Sequence, residues 1–244
     1  MSAYQRTFNR YEFKYVMPID LATAFVDEVR GHLEPDPHAG ADGLYRISST
    51  YYDSASLDCY WEKIEGQRVR RKLRIRRYMD DPSDSALIEI KQRVDRTVQK
   101  RREPMRIEEI FSILPGPDDL HGICDGGPEV AGVLGEAMYL VQAYRMRPKV
   151  MISYHRRPFQ GIQDDGLRLT IDSKLSCRSH NLDWAAPEDN QDVLFMPPEL
   201  SVVEVKFNER VPLWLTRHVS RFECEMRRLS KYTAGVDRLW HVAG

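Results

Sequence analysis

Three short runs place an acid and a base two positions apart: Glu12-Phe13-Lys14, Glu89-Ile90-Lys91 and Glu204-Val205-Lys206. On an extended chain residues i and i+2 share a face, so each pair projects to one side while Phe13, Ile90 and Val205 project to the other. Bases repeat the spacing at Lys72, Arg74 and Arg76 and at Lys100 and Arg102, and polar groups repeat it at Tyr154 and Arg156 and at Arg168, Thr170 and Asp172. Phosphate oxygens suit such groups, because arginine offers a planar fork of donors and lysine a compact point charge. Carboxylates have no place in a pure anion trap. They are, however, the ligands by which Mg²⁺ or Mn²⁺ is held beside phosphate oxygens. The residues therefore point to a chain of phosphates bound together with a divalent metal.

For any one strand a blander explanation competes, in which solvated charges pair across strands for roughly 0.2–1 kcal/mol each. It fails for seven strands taken together. Alternate positions such as Phe13, Leu73, Ile75, Ile90, Leu169, Val203 and Val205 already supply a core on the opposite face. If the apolar face turns outward under amphipathic helices, the charged face becomes a lumen whose repulsion anions would offset.

The elements that must carry these residues follow from periodicity. Strands are predicted over 10–17, 44–53, 71–79, 86–93, 97–102, 148–159, 167–174 and 200–207. Helices are predicted over 19–33, 130–143, 211–220 and 229–242, and a surface loop over 179–198. Strands without regular βαβ alternation imply an antiparallel sheet, and about eight suffice to close a barrel around side chains or one ligand. The expected fold is α+β: a closed eight-stranded antiparallel β-tunnel flanked by helices, in a single domain over 1–244.

Composition narrows the class. At 244 residues, 42% hydrophobic and 30% charged, the chain matches one large globular domain. It contains no apolar run of about 20 residues and no basic leader before an apolar stretch, so neither a span nor a signal is expected. Its four cysteines form no CxxC pair and no zinc spacing, which fits a reducing cytoplasm. A net charge of −1 argues against nucleic acid as a partner and makes any anion site local. Gly-x-Ser-x-Gly, Walker and kinase motifs are absent, so no activated nucleophile is expected. Tyr51, Tyr52 and Trp61 read as core, His155 and His218 as surface or packing residues, and Asp118-Asp119 and Asp164-Asp165 as turns.

Taken in order, Tyr11-Glu12-Phe13-Lys14-Tyr15, Ser49-Thr50-Tyr51-Tyr52-Asp53, Leu73-Arg74-Ile75-Arg76-Arg77-Tyr78, Glu89-Ile90-Lys91, Arg168-Leu169-Thr170-Ile171-Asp172, Val203-Glu204-Val205-Lys206 and Ser230-Lys231-Tyr232 resemble one family. It is the vacuolar transporter chaperone (VTC) catalytic domain, a polyphosphate polymerase of the triphosphate tunnel metalloenzyme (CYTH-like) superfamily. The resemblance spans nearly the whole chain. It implies that Lys14, Arg74, Arg76, Lys91, Arg156, Arg168 and Lys206 hold and activate phosphates, joined in binding by Lys100, Tyr154, Ser230 and Lys231. It also implies Glu204, with Glu12 and Glu89, at Mn²⁺ or Mg²⁺. The implied reaction moves the γ-phosphate of ATP onto a growing inorganic polyphosphate chain. Two alternatives stay open: a triphosphatase of the same fold, and a non-catalytic polyphosphate-binding module. The turn Arg93-Val94-Asp95-Arg96 lacks the glycines expected there. No phosphate-sensing or membrane part reads in these residues, which casts the chain as a stand-alone, bacterial-type member. That leaves room for a separate membrane protein as partner at the inner face of the membrane.

Overall fold

The computed structural model describes residues 10–37, 39, 42–95, 97–116, 131–184, 192–208 and 210–241. Strand β1 (Arg10–Pro18) leads into helix α1 (Ile19–Glu28), a short β2 (Leu33–Pro35), β3 (Tyr45–Asp53) and α2 (Asp58–Ile64). A meander of β4 (Val69–Tyr78), β5 (Ser85–Val94) and β6 (Thr97–Arg106) runs into α3 (Ile107–Phe111), and α4 (Gly132–Ala143) follows. The long strands β7 (Arg147–Gly161) and β8 (Arg168–Arg178) precede β9 (Val193–Leu194), β10 (Leu200–Asn208), α5 (Leu213–Arg221) and α6 (Lys231–Trp240). The sheet order is β1-β10-β8-β7-β3-β4-β5-β6, with β2 added on β7 and β9 on β8. The eight predicted strands are all present, in an antiparallel sheet flanked by helices.

Contacts divide the chain into two compact units, Met1–Tyr45, Tyr154–Leu175 and Met196–Leu229 in the first and Arg46–Ser153, Ser176–Phe195 and Ser230–Gly244 in the second. In the first unit, register places Phe13 opposite Val205 and Val205 opposite Leu169, with Tyr15, Val203 and Ile171 as the next row. With Phe13 packed against them half-buried, the others form a buried cluster with Ala22, Phe25 and Val26 of α1 and Leu215 of α5. Both helices therefore cover the apolar face. The charged residues at alternate positions occupy the other.

In the second unit the equivalent rows are Tyr52, Leu73 and Ile90, then Thr50, Ile75 and Ile88. Helix α4 packs against β5 and β6 and buries Leu134, Ala137, Leu140 and Val141. Arg101, opposite Ile90, donates from Nε to Glu136 of α4 at 2.7 Å, which seats that helix on the apolar side. Helix α6 comes so close to β7 that a Cβ on Gly235 would stand 2.5 Å from Ile152 Cδ1. Glycine there permits the approach.

Four details differ from expectation. The helix predicted over 19–33 ends at Glu28, because Leu33 pairs with Gly161 and is buried as strand β2. The loop predicted over 179–198 contains β9, where Leu194 pairs with Ser176. Helix α3 was not predicted, and Trp61 on α2, expected in the core, is 38% exposed. Asp164 forms the expected turn, accepting from the Gly166 amide at 2.8 Å, whereas Asp118-Asp119 lies outside the described residues. His218 packs as expected, with Nδ1 2.7 Å from the Trp214 carbonyl. Among the described residues no helix is long and apolar enough to cross a membrane.

Candidate functional site

In the first unit the acid-base runs of β1 and β10 are antiparallel neighbours, so Glu12 lies opposite Lys206 and Lys14 opposite Glu204. Next along the sheet, Thr170 lies opposite Glu204 and Arg168 opposite Lys206. Sequence parity thus becomes a two-dimensional lattice in which charge alternates between β1 and β10, while Arg168 of β8 adds a second base beside Lys206.

Glu204 is its hub, with a side chain only 5% exposed. Lys14 Nζ stands 3.1 Å from Glu204 Oε1 and 3.0 Å from Glu12 Oε1, and also donates to the Leu229 carbonyl at 3.3 Å. Lys206 Nζ donates to Glu204 Oε2 at 2.9 Å. Arg156 lies 3.6 Å from the same oxygen and donates twice to Asp172, at 2.7 Å each. Its guanidinium also sits 5.3 Å from the Tyr154 ring centroid. Burial alone would lower the Arg156 pKa, but Asp172, Tyr154 and Glu204 raise it well above the usual value. Arg168 turns one donor to the Leu167 carbonyl at 3.1 Å.

This set brings Glu12, Lys14, Tyr154, Arg156, Arg168, Glu204 and Lys206 onto one lattice, as the period-two spacing predicts. Asp172, placed on this face by its spacing but given no site role there, joins the lattice as the partner of Arg156. Its signal was present, since it shares parity with Arg168 and Thr170.

In the second unit a separate cluster centres on Glu89, whose side chain is 2% exposed. Arg74 lies opposite it, donating from Nε at 2.6 Å and, through Nη1, to the Tyr51 hydroxyl at 2.7 Å. Arg76 Nε is 3.7 Å from Glu89 Oε2, and Lys100 pairs with Oε1. Burial would raise the Glu89 pKa, but Arg74, Arg76 and Lys100 override it and hold the carboxyl well below the usual range. Burial, then Arg74 and Arg76, pull the Lys100 pKa down to about 8 against the opposing pull of Glu89.

Lys91 stands between Lys72 and Lys100 in the same register row. Lys72 donates to Ser230 Oγ at 2.9 Å and lies 5.2 Å from the Tyr232 ring centroid, while Ser230 caps α6 and Lys231 opens it, buried. Tyr232 stacks on Tyr51 at 5.0 Å and its hydroxyl donates to Asp53. Asp53, fully buried, also accepts the Cys59 amide at 2.9 Å and the Tyr60 amide at 3.2 Å. Hence Tyr51, read from sequence as core, is buried and also orients Arg74. Asp53 was missed as a site-forming residue because its partners are remote in sequence, and Lys72, placed on the basic face by its spacing, has partners, Ser230 and Tyr232, that are equally remote.

A hard divalent ion is compatible with the first cluster. Its donors are all oxygens, Glu12 and Glu204 flank a single ammonium, and the buried Thr170 Oγ1 opposite Glu204 has no hydrogen-bond partner. No group of three His, Cys, Asp or Glu residues at metal-binding spacing occurs among the described residues. The fit is therefore to an ion anchored by one or two carboxylates, the mode in which Mg²⁺ keeps waters and phosphate oxygens as its other ligands.

The VTC domain family matches residues 9–240. Vacuolar transporter chaperone complex subunit 4 of Trypanosoma cruzi is 24% identical over 226 residues, covering 80% of this chain and 28% of that protein. Subunit 4 of the same-named complex in Schizosaccharomyces pombe is 26% identical over 230 residues, covering 80% of this chain and 32% of that protein. The chain spans about a third or less of the length of these relatives. A Bacillus halodurans protein described as an adenylate cyclase candidate shares the fold, with a TM-score of 0.51 at 10% identity over 94% of this chain and 96% of that one. Because the matched stretch runs from the start of the sheet through α6 and carries both ion-pair clusters, the chain belongs to the VTC domain family.

Proposed function

We propose that this chain is a metal-dependent polyphosphate polymerase, transferring the γ-phosphoryl group of ATP to the end of an inorganic polyphosphate chain. The observation that carries the reading is the state of the carboxylates. Glu204 and Glu89 are each buried among three bases, and further bases, Arg168, Lys91, Lys72 and Arg102, stand beside them on the same faces. Such faces hold surplus positive charge, which suits a polyanion.

In the proposed reaction a terminal oxygen of the acceptor chain attacks the γ-phosphorus, the bond from that phosphorus to the bridging oxygen of ADP breaks, and the acceptor grows by one phosphate. The acceptor is already an anion, so no general base is needed. Lys14, Lys206, Arg156 and Arg168 hold phosphate oxygens and offset charge that builds on them in the transition state. Arg74, Arg76, Lys91 and Lys100 do the same on their own face, with Glu89 as counter-charge. Ser230 keeps Lys72 in place, and Lys231 anchors the start of α6. Mn²⁺ or Mg²⁺, held by Glu204 and Glu12, would supply further neutralisation of phosphate charge. The names of the relatives extend the proposal to a partner, since both are subunits of a complex.

The test incubates the protein with ATP and Mn²⁺, resolves products on a gel stained for polyphosphate, and assays orthophosphate in parallel. A polyphosphate ladder lost in Glu204→Gln is the expected result. Orthophosphate without a ladder would replace the polymerase with a triphosphatase. Binding of polyphosphate without either product would leave a binding module, and an undiminished ladder in Glu204→Gln would remove the role given to that carboxylate.

A further inference from the structure

Register lines up four rungs across β4, β5 and β6 on the charged face of the second unit. The first carries Arg76, Leu87 and Pro104, and the second Arg74, Glu89 and Arg102. The third is all lysine: Lys72, Lys91 and Lys100. The fourth sets Arg70 directly opposite Arg93, with Val98 beyond. Glu89 is the one carboxylate at these positions, and it is engaged by Arg74, Arg76 and Lys100.

Like charges directly opposite on adjacent strands destabilise a sheet. The protein nevertheless places them on two consecutive rungs. Arg93 Nε donates to the Asp95 carbonyl at 2.7 Å, a neutral acceptor, and Arg93 forms no ion pair among the described residues. Partial burial and then Arg93 itself lower the Arg70 pKa, against a weaker pull from Glu62. Rungs two residues apart are separated by about 6.5 Å, which puts the Arg70–Arg93 rung about 13 Å from the Glu89 rung. A triphosphate seated at Arg74 and Arg76 does not reach that far, whereas a longer chain does.

We propose that the Arg70–Arg93 rung, beyond the lysine rung, forms a distal subsite for the outer phosphates of a long polyphosphate, with Arg70 and Arg93 selecting chain length. The proposal rests on the polyphosphate reading above. A single-stranded nucleic acid is the weaker occupant, because no aromatic residue stands at the positions of these two rungs and base stacking is what such surfaces use.

The experiment measures dissociation constants for tripolyphosphate, a long-chain sodium polyphosphate and an oligonucleotide of comparable charge. It compares the unaltered protein with the double variant Arg70→Gln and Arg93→Gln and with each single variant. The double variant should lose about tenfold or more in affinity for the long chain and stay within about twofold for tripolyphosphate. Its log-log salt slope for the long chain should also fall, as fewer counterions are displaced. Melting curves check the fold, and removing a repelling pair should leave the melting temperature unchanged or raise it. Equal affinity of the double variant for the long chain would overturn the subsite. So would an equal loss for both phosphates, or oligonucleotide binding as tight as that of polyphosphate. If the unaltered protein binds neither phosphate, the polyphosphate reading itself falls, whereas binding of both with no effect of the substitutions removes the subsite alone.

Discussion

Replacing Glu89 by glutamine keeps shape and removes charge. In the structure this leaves Arg74, Arg76 and Lys100 around a neutral amide in a place where the replaced carboxylate was 2% exposed. Breaking a buried ion pair by removing one partner costs about 3–5 kcal/mol. Arg74 and Lys100 are 21% and 43% exposed, so water relieves part of the repulsion and the low end applies, about 3 kcal/mol. For a chain of this size each kcal/mol lowers the melting temperature by about 2–4 °C, so Glu89→Gln should melt about 6–12 °C below the unaltered protein at pH 7 and low salt. The sign with pH follows from the depressed carboxyl pKa. The contribution is fully present above the unfolded value of about 4.3 and is lost as pH falls toward the folded value, so the gap between the two proteins should narrow below about pH 4. Tripolyphosphate at saturation should close part of the gap by supplying the missing negative charge. Calorimetry in matched buffers measures all three effects. A variant that melts within about 2 °C of the unaltered protein at pH 7 would refute the reasoning, because Glu89 would then not be the counter-charge of this face.

Three further outcomes are expected. With its pKa pulled to about 8 from the ordinary 10.5, Lys100 loses its proton above pH 8, so tripolyphosphate should bind more weakly at pH 9 than at pH 7, and Lys100→Arg should flatten that dependence in titration calorimetry. The same shift acts on folding with the opposite sign, since the folded state holds fewer protons between pH 8 and 10.5 and Lys100 therefore adds stability as pH rises through that window. Tyr232→Phe removes the hydroxyl that Asp53 accepts in a fully buried position, at a cost of about 1–2 kcal/mol. The amides of Cys59 and Tyr60 still satisfy the carboxylate in part, so thermal melting should fall by about 2–8 °C while the fold survives.

Much of the lattice was legible because parity on a strand is local information. Glu12 with Lys14, Glu204 with Lys206, and Arg168 with Asp172 could be assigned to shared faces from spacing alone. Adjacency was not legible. That Lys14 faces Glu204, or that Lys72 reaches Ser230, depends on which strand lies beside which and on where α6 ends. The family resemblance supplied the list of bases without that geometry, so it missed how tightly the acids are occupied. Glu204 reads in sequence as a free ligand, whereas in the fold it is the shared partner of Lys14, Lys206 and Arg156. A short element such as α3, with 5 residues, carries too few periods to show a pattern. The role of Asp53 was hidden because a carboxylate closing a Tyr-Tyr-Asp strand end looks like turn chemistry until Tyr232 is seen against it.

The pairing of β1 with β10 also sets the order in which the molecule can be built. Lys14 donates to Leu229, 215 residues away, and its partner Glu204 lies on a strand that is nearly as remote. A ribosome adding about 5–20 residues per second leaves that first strand waiting roughly 10–40 seconds for its neighbour. During that interval Phe13, Tyr15 and Met17 have no sheet partner and Lys14 has only Glu12 nearby. The first unit thus has a high contact order, which makes folding slow and exposes an unpaired edge to aggregation. The alternating charges of β1 would act earlier as a guard, since an edge strand carrying Glu12 and Lys14 resists pairing with the wrong chain.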